Sequence, residues 1–190
     1  MRLLLVAYPG AGKGTQATRL AAHYGVARLS SGELLRAEVA LGTEVGKAAA
    51  DYLRSGDLVP DELVLKVLSS PVLEAAKSGG FILDGFPRTV SQAEAAYSLA
   101  QELDVELQAV VYLRVGHDEL LRRLRARADG EGRTDDGEAT IAHRFEVFEA
   151  QTEPLLAFYD RRGILLDING EQRVGDVFAD ITTAVDSLVG

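Results

Sequence analysis

The sequence predicts an α/β fold built on a parallel sheet, and three observations lead to that prediction. Short, uninterrupted apolar runs recur along the chain, a pattern typical of strands buried on both faces. Each run is followed by a stretch in which apolar residues recur with helical spacing. Turns rich in glycine and proline separate the two kinds of segment. Strands and helices that alternate in this way form parallel sheets with helices packed against them.

The elements can be placed along the chain from these patterns. The predicted strands are residues 3–7, 27–29, 81–83, 109–113 and 164–168, the second being short. Helices are predicted at residues 13–24, 32–41, 44–54, 91–103, 117–127 and 174–188. Another helix begins at Pro60-Asp61 and is expected to break or restart at Pro71. A polar loop at 128–132 precedes the longest helix, expected from about residue 136 to about 161 with a bend at Pro154.

Residues 30–60 interrupt the alternation of strands and helices. This stretch contains no predicted strand, and its two short helices lie between breakers at Gly42 and Ser55-Gly56. The pattern predicts a small helical insertion on the main sheet.

Composition and charge limit the function. A chain of 190 residues fits one domain, and its net charge of −9 argues against binding a nucleic acid polymer. The chain contains no cysteine, which excludes disulfides and thiolate metal sites. No apolar run approaches the roughly 20 residues that a membrane helix needs, and the first apolar run is too short for a secretory signal. We therefore expect a cytoplasmic protein with no membrane partner.

The first predicted strand ends in a glycine-rich loop, Pro-Gly-Ala-Gly-Lys-Gly-Thr-Gln at residues 9–16. Glycines let successive backbone N–H groups approach a phosphate, and the new helix directs its positive end to the same point. Lys13 adds a mobile charge for the outer phosphates. Two residues before the loop depart from the general phosphate-loop pattern. Ala7 takes a glycine position and is tolerated only with a negative φ, whereas Tyr8 is bulky and is expected to pack over the loop.

The third predicted strand ends in Asp84, followed by Gly85-Phe86-Pro87-Arg88. A carboxylate at the carboxyl end of a strand, beside a phosphate loop, is a usual partner of Mg²⁺, directly or through water. Arginines form a third group: Arg123 and Arg127 share one border of a helix, and Arg133 and Arg144 flank the start of the long helix. Several arginines around one loop in an acidic protein indicate an anion site.

Taken together, these motifs resemble the adenylate kinases, within the nucleoside monophosphate kinase family. The resemblance rests on the 9–16 loop, the Ser-Ser-Gly-Glu-Leu-Leu-Arg segment at 30–36, the 84–88 turn with Gln92, and the arginines just described. The motifs occur in the family's order from the first strand to the last helix. The resemblance implies a phosphate-loop kinase fold of three layers with a five-stranded parallel sheet. It also implies transfer of the γ-phosphoryl group of MgATP to AMP, giving two ADP.

The resemblance also implies roles for individual residues. AMP is expected to contact Ser31, Arg36, Val59, Gly85, Arg88, Gln92, Arg133 and Arg144. ATP is expected to contact Gly10, Ala11, Gly12, Lys13, Gly14, Thr15, Arg123, Arg127, Gln172 and Val174, the backbone around Gly170 lining the adenine pocket. Lys13, Arg88, Arg127, Arg133 and Arg144 are the expected catalytic residues. Asp84 is expected to orient Mg²⁺ through water, with Glu33 as a second candidate for that role.

The same resemblance divides the chain into a core of residues 1–29 and 60–190, a monophosphate-binding part at 30–59, and a short lid loop at 128–136. Longer relatives carry a small lid domain at that loop. A lid that holds zinc is excluded here because the chain has no cysteine. The expected ligands are ATP, AMP and ADP, and the expected state is a monomer.

Three alternatives stay open at this stage. The acceptor could be UMP, CMP or GMP, although Ser31 and Gln92 favour AMP. The chain could be a nucleotide-binding switch without turnover, but it lacks an Asn-Lys-x-Asp guanine motif and such a switch has no use for the arginines. The last alternative is an α/β scaffold that has lost activity, for which Ala7 is the only indication.

Overall fold

The computed structural model describes the backbone of residues 1–131 and 138–190, and the side chains of residues 1–126 and 139–190. Five strands form one sheet: β1 (Arg2–Val6), β2 (Ala27–Ser30), β3 (Phe81–Asp84), β4 (Ala109–Arg114) and β5 (Leu165–Asn169). Their order in space is β2-β3-β1-β4-β5, and every pair is parallel. The prediction of a parallel α/β sheet is confirmed, with strand ends within two residues of the predicted ones.

Nine α-helices accompany the strands in the described part of the chain. They are α1 (Lys13–Tyr24), α2 (Ser31–Leu41), α3 (Glu44–Ser55), α4 (Asp61–Lys77), α5 (Val90–Glu102), α6 (His117–Glu131), α7 (Glu138–Val147), α8 (Pro154–Asp160) and α9 (Val174–Val189). The helix α1 packs with α9 against one side of the sheet, and α4, α5 and α8 pack against strands or one another on the other side. This is the three-layer arrangement that the resemblance implies.

Three predictions about helices are wrong in detail. The helix α4 continues through Pro71 without a break. The segment expected to be a loop at 128–132 is helical as far as Glu131, because α6 runs four residues beyond its predicted end. The long helix is interrupted by a π-helical turn at Phe148–Thr152. There the N–H of Glu153 bonds back to the carbonyl of Phe148, five residues earlier, immediately before Pro154, which has no N–H to donate.

The central strand β1 supplies the middle of the core. Leu3, Leu4 and Leu5 are each at most 1% exposed, since β1 lies between β3 and β4 and is covered on both faces. Strands β2 and β3 lie to one side of β1, whereas β4 and β5 lie to the other. The chain therefore changes direction across the sheet at β1, and in open α/β sheets ligands bind beyond the carboxyl ends of the strands at such a point.

A second, smaller apolar cluster lies under α2 and α3. It consists of Leu35, Val45, Ala49, Val59, Val64, Leu68 and Phe86. The helices of the predicted insertion therefore bury their apolar faces against the start of α4 and the turn after β3. This packing places the 30–59 segment over the carboxyl edge of the sheet.

The close contact between α2 and α3 depends on Gly46. A Cβ at this position would overlap the backbone carbonyl of Glu38 on α2. We expect Gly46→Ala to lower the free energy of unfolding by about 1–3 kcal/mol, since the two helices must separate to admit the methyl group. Urea unfolding measures this effect. Gly175→Ala, in α9, is the matched control because nothing lies within 4 Å of its added methyl group. The control is expected to gain about 0.4–1 kcal/mol, and equal stability of the two variants would contradict this account of the contact.

Candidate active site

The glycine-rich loop connects β1 to α1 and contributes to one large cleft. Gly10 has a φ of +87°, a backbone conformation that residues with side chains rarely adopt. A Cβ at this position would also lie only 2.8 Å from Cγ of Leu124 on α6. Lys13 folds back over the loop, and its Nζ donates to the carbonyl oxygens of Ala7 at 2.7 Å and Tyr8 at 3.3 Å. The loop thus presents its backbone and one mobile cation to the cleft.

The two unusual residues before the loop are both buried. Among the described residues other than glycine, only Asp104 has a positive φ. Ala7 therefore has a negative φ, as expected. Tyr8 is 7% exposed, and its ring lies 3.9 Å from that of Phe148. Its hydroxyl donates to Oε1 of Glu149 at 3.3 Å. Tyr8 therefore packs against the π-helical turn and joins the start of the loop to the helices that follow α6.

The cleft has a volume of about 960 Å³ and is lined by the loop, by α2, and by the turns after β3 and α3. Its described walls carry six basic side chains, namely Lys13, Arg28, Arg36, Arg88, Arg123 and Arg144. They also carry three acidic ones, Glu33, Asp57 and Asp84. A local excess of positive charge in a protein of net charge −9 indicates an anionic ligand.

The turn after β3 fixes Arg88 at the floor of the cleft. The Nε of Arg88 donates to the carbonyl of Gly85 at 2.7 Å, and its backbone N–H donates to Oε1 of Gln92 at 2.6 Å. The amide nitrogen of Gln92 donates in turn to Asp61 on α4. Both ends of the Gln92 amide therefore brace the turn that carries Arg88.

Three arginines meet at this end of the cleft. Burial lowers the pKa of Arg88; Asp84 raises it, and the positive charges of Arg144 and Arg36 lower it further. Arg36 comes from α2, and Arg144 comes from α7, where it packs against Gly56. Guanidinium groups that repel one another around a floor arginine form a site suited to a phosphate.

Arg123 occupies the opposite side of the loop. Its Nη1 donates to the carbonyl of Ala11 at 3.4 Å and its Nη2 to the carbonyl of Gly170 at 3.0 Å. Its Nε donates to Glu119, whose pKa is lowered to about 2 by hydrogen bonds from Arg122 and Arg123. Arg123 thus links the phosphate loop to the segment between β5 and α9.

Asp84 and Glu33 lie together at the carboxyl edge of the sheet, and both approach the side chain of Arg28. Its Nη2 is 2.5 Å from Oε1 of Glu33 and 4.0 Å from Oδ2 of Asp84. No cluster of three or more potential metal-binding side chains occurs among the described residues. One or two carboxylates suit Mg²⁺, which keeps most of its waters in proteins. The pair already holds a cation between its oxygens, and in that respect it fits the metal.

Arg28 is a site residue that the sequence did not single out. It lies in β2, where a charged side chain interrupts a short apolar strand just before the 30–36 motif. A charged residue within this short apolar strand was the feature of the sequence that could have pointed to Arg28. Val147, Phe148 and Thr152 also line the cleft, and they were missed because the π-helical turn that orients them was not predicted.

Some predicted site residues lie behind the wall of the cleft and not on it. Ser31, Val59 and Gln92 are buried, with exposed fractions of 2%, 7% and 5%. Gln172 bonds to Asn169 and Asp180, and the carbonyl of Val174 accepts from Gln16. Arg133 and part of the predicted lid loop at 128–136 lie outside the described residues, as does the side chain of Arg127.

A contact between two segments crosses one end of the cleft. Nε2 of His143 on α7 lies 2.6 Å from Oδ1 of Asp57 in the turn after α3. The hydrogen bond to Asp57 is the main cause that raises the pKa of His143, with Glu146 adding to it, and the same bond is the main cause that lowers the pKa of Asp57. Both side chains are therefore charged at pH values between the lowered pKa of Asp57 and the raised pKa of His143.

We expect this contact to weaken as the pH rises through the raised pKa of His143, and as it falls through the lowered pKa of Asp57. An NMR titration of the histidine rings checks the sign: Asp57→Asn is expected to lower the pKa of His143. Asp51→Asn is the matched control, since Asp51 is an exposed carboxylate on α3 that pairs with Arg54. A pKa of His143 that is unchanged by Asp57→Asn would refute the contact.

No helix among the described residues is both long and apolar enough to cross a membrane.

Comparison with known proteins connects the site to a family. A sequence model described as adenylate kinase matches residues 5–164. The chain is 48% identical over 187 residues to an adenylate kinase of Nitrobacter winogradskyi, with 95% of this chain and 91% of the relative covered.

Two further relatives show the same extent of similarity. An adenylate kinase of a Synechococcus species is 47% identical over 184 residues, covering 97% of this chain and 98% of the relative. One from Thermobifida fusca is 43% identical over 187 residues, covering 98% and 99%. Matches of this length include both the loop and the arginine-bearing turns, and the chain therefore belongs to the adenylate kinase family.

Proposed function

We propose that this chain catalyses the reversible transfer of the γ-phosphoryl group of MgATP to AMP, giving two ADP. One observation carries the proposal: a single cleft joins a phosphate loop with its lysine to a separate cluster of Arg36, Arg88 and Arg144. Two anion sites in one cleft fit a donor and an acceptor, as family membership also indicates. The alternatives of a non-catalytic switch and an inactive scaffold are not favoured, because neither needs a second cationic site.

In this proposal the loop and Lys13 hold the phosphates of ATP, supported by the αL glycines and by the start of α1. Gly10, Ala11, Gly12, Gly14 and Thr15 would supply the backbone around those phosphates. Arg123 would lie against the adenine, near Gln172 and Val174. Its bonds to Ala11 and Gly170 support this assignment, because they place the guanidinium between the loop and the segment before α9.

The acceptor would lie over the turn after β3. Arg36, Arg88 and Arg144 would hold the phosphate of AMP, with Gly85 beneath it. Ser31, Val59 and Gln92 would shape the acceptor pocket from behind, and Gln92 would also keep Arg88 in place. The helices α2 and α3, with their own apolar cluster, would form a monophosphate-binding part at 30–59 over a core of residues 1–29 and 60–190.

Phosphoryl transfer needs alignment and positive charge more than covalent help. An oxygen of the AMP phosphate attacks the γ-phosphorus as the bond to the β,γ-bridging oxygen breaks, and ADP leaves. Lys13, Arg88 and Arg144 would balance the charge that moves between the two sites. Arg127, and Arg133 in the 128–136 lid loop, would share this role, as the family resemblance implies. Asp84 and Glu33 would hold Mg²⁺ through water, and the ion would supply further positive charge to the phosphates. We propose a monomer that works on ATP, AMP and ADP in the cytoplasm.

An assay with a panel of acceptors tests the proposal. Nucleoside diphosphate formation is measured with MgATP and each of AMP, UMP, CMP and GMP. The highest kcat/KM is expected with AMP. A higher value with a pyrimidine acceptor would overturn the AMP assignment, and ATP binding without turnover on any acceptor would favour a non-catalytic protein.

A further inference from the structure

Arg28 differs from the other arginines of the cleft because one of its buried nitrogens has no hydrogen-bond partner. Its side chain is 24% exposed, and its Nε is buried and has no hydrogen-bond partner. Its Nη2 contacts the exposed carboxylate of Glu33 and the more buried carboxylate of Asp84. The same nitrogen lies 3.3 Å from the position that a Cβ on Gly14 would occupy. The guanidinium thus lies between these two carboxylates and the phosphate loop.

An arginine in this position acts as a cation built into the chain. Because an arginine side chain carries a permanent positive charge, the guanidinium frees the carboxylates only by moving away from them. A metal ion that approaches Asp84 or Glu33 meets this positive charge a few ångströms away. A nucleotide on the loop would offer phosphate oxygens to the buried Nε and to Nη2, and arginine binds such oxygens well because its donors form a planar fork.

We propose that Arg28 is a positioning residue whose guanidinium occupies the cation-binding position between Asp84 and Glu33. It competes with Mg²⁺ for that position. The metal enters when the guanidinium turns from the carboxylates to the nucleotide phosphates. The inference rests on the proposed function, because it takes Asp84 and Glu33 as the carboxylates that hold the metal. It predicts that the metal concentration needed to fill the site depends on Arg28 as well as on the two carboxylates.

The test is a titration of Mn²⁺ into the full chain bound to an ATP analogue that cannot transfer its γ-phosphoryl group. Free Mn²⁺ is followed by electron paramagnetic resonance, and the analogue alone gives the baseline. Arg28→Gln keeps hydrogen-bond donors and removes the charge. It is expected to lower the Mn²⁺ concentration for half-saturation about tenfold, between the weak effect of a nearby charge in water and the larger one near a protein surface.

Two further variants separate the competing explanations. Arg161→Gln removes the same charge at an exposed position after α8, away from the cleft, and is expected to leave the titration unchanged. Arg28→Lys retains a charge on a shorter reach and is expected to fall between the wild type and Arg28→Gln; it also serves if Arg28→Gln fails to fold. In the double variant with Asp84→Asn, the gain from Arg28→Gln is expected to disappear.

The result is decisive in either direction. Unchanged or weaker Mn²⁺ binding in Arg28→Gln would overturn the inference, as would an equal shift in Arg161→Gln. If the wild type binds the analogue and Arg28 has no effect on the metal, the inference fails while the proposed function stands. If the wild type does not bind the analogue at all, both fail.

Discussion

Arg88→Ala is expected to lower kcat for ADP formation by about three orders of magnitude, on the scale seen when an arginine that stabilises a moving phosphoryl group is removed. The physical reason is the location of Arg88 at the floor of the cleft, fixed by its own bond to Gly85 and by Gln92. Without its guanidinium, the phosphate of the acceptor loses the charge that is closest to its expected path. The measurement is a steady-state assay with AMP as the varied substrate.

The fold is expected to survive this change. Arg36 and Arg144 repel Arg88, so removal of its charge relieves that repulsion, although its bond to Gly85 is lost. Urea unfolding reports stability separately from activity. Arg54→Ala is the matched control, because Arg54 is an exposed arginine on α3 that pairs only with Asp51 among the described residues. Near-normal turnover of Arg88→Ala with AMP would contradict the acceptor-phosphate role.

Lys13→Met is expected to produce the second large loss, a decrease in kcat of roughly a hundredfold or more, comparable to removal of a donor that stabilises a transition state. The long side chain of methionine keeps most of the bulk and none of the charge. In the structure Nζ bonds to the carbonyl oxygens of Ala7 and Tyr8, just before the loop, so it is already held over the site where phosphates are expected. Steady-state kinetics with ATP as the varied substrate measure the loss.

The pattern of the loss matters as much as its size. Lys13→Met is expected to act through ATP, leaving the binding of AMP to the free enzyme within about twofold. Calorimetric titration with each nucleotide separates these effects. Lys47→Met, an exposed lysine on α3 paired with Glu44, provides the control for the change of residue type. Equal loss of AMP binding in Lys13→Met would show that the two anion sites are not separate.

Much of the fold could be predicted because local pattern and tertiary packing agree. The strand β1 is an apolar run that the sheet buries on both faces, and the glycines at 10 and 12 mark the turn that follows it. The helix α4 continues through Pro71 against its local preference. Packing of Val64, Leu68 and Ala75 along the helix outweighs the lost hydrogen bond.

The π-helical turn and Arg28 show what the pattern could not supply. A π-helical turn has no distinctive composition, and only the absence of an N–H at Pro154 indicated a disturbance there. The role of Arg28 depends on the register that pairs Ser30 of β2 with Asp84 of β3, which brings β2 beside the predicted metal residue. Such pairing is a property of the folded sheet. The bond from Gln92 to Asp61 likewise joins residues far apart in the sequence, a contact that no local spacing predicts.

The most direct test of the account follows the phosphoryl group itself. ATP labelled with ³²P at the γ position is incubated with Mg²⁺, unlabelled AMP and the full chain, and the products are separated. Transfer to AMP predicts that the label appears at the β position of ADP and that little orthophosphate forms, since the cleft directs the group to a second nucleotide and not to water. Label that appears as orthophosphate, or that remains in ATP while AMP is bound, would contradict the central claim that the two anion sites serve one transfer.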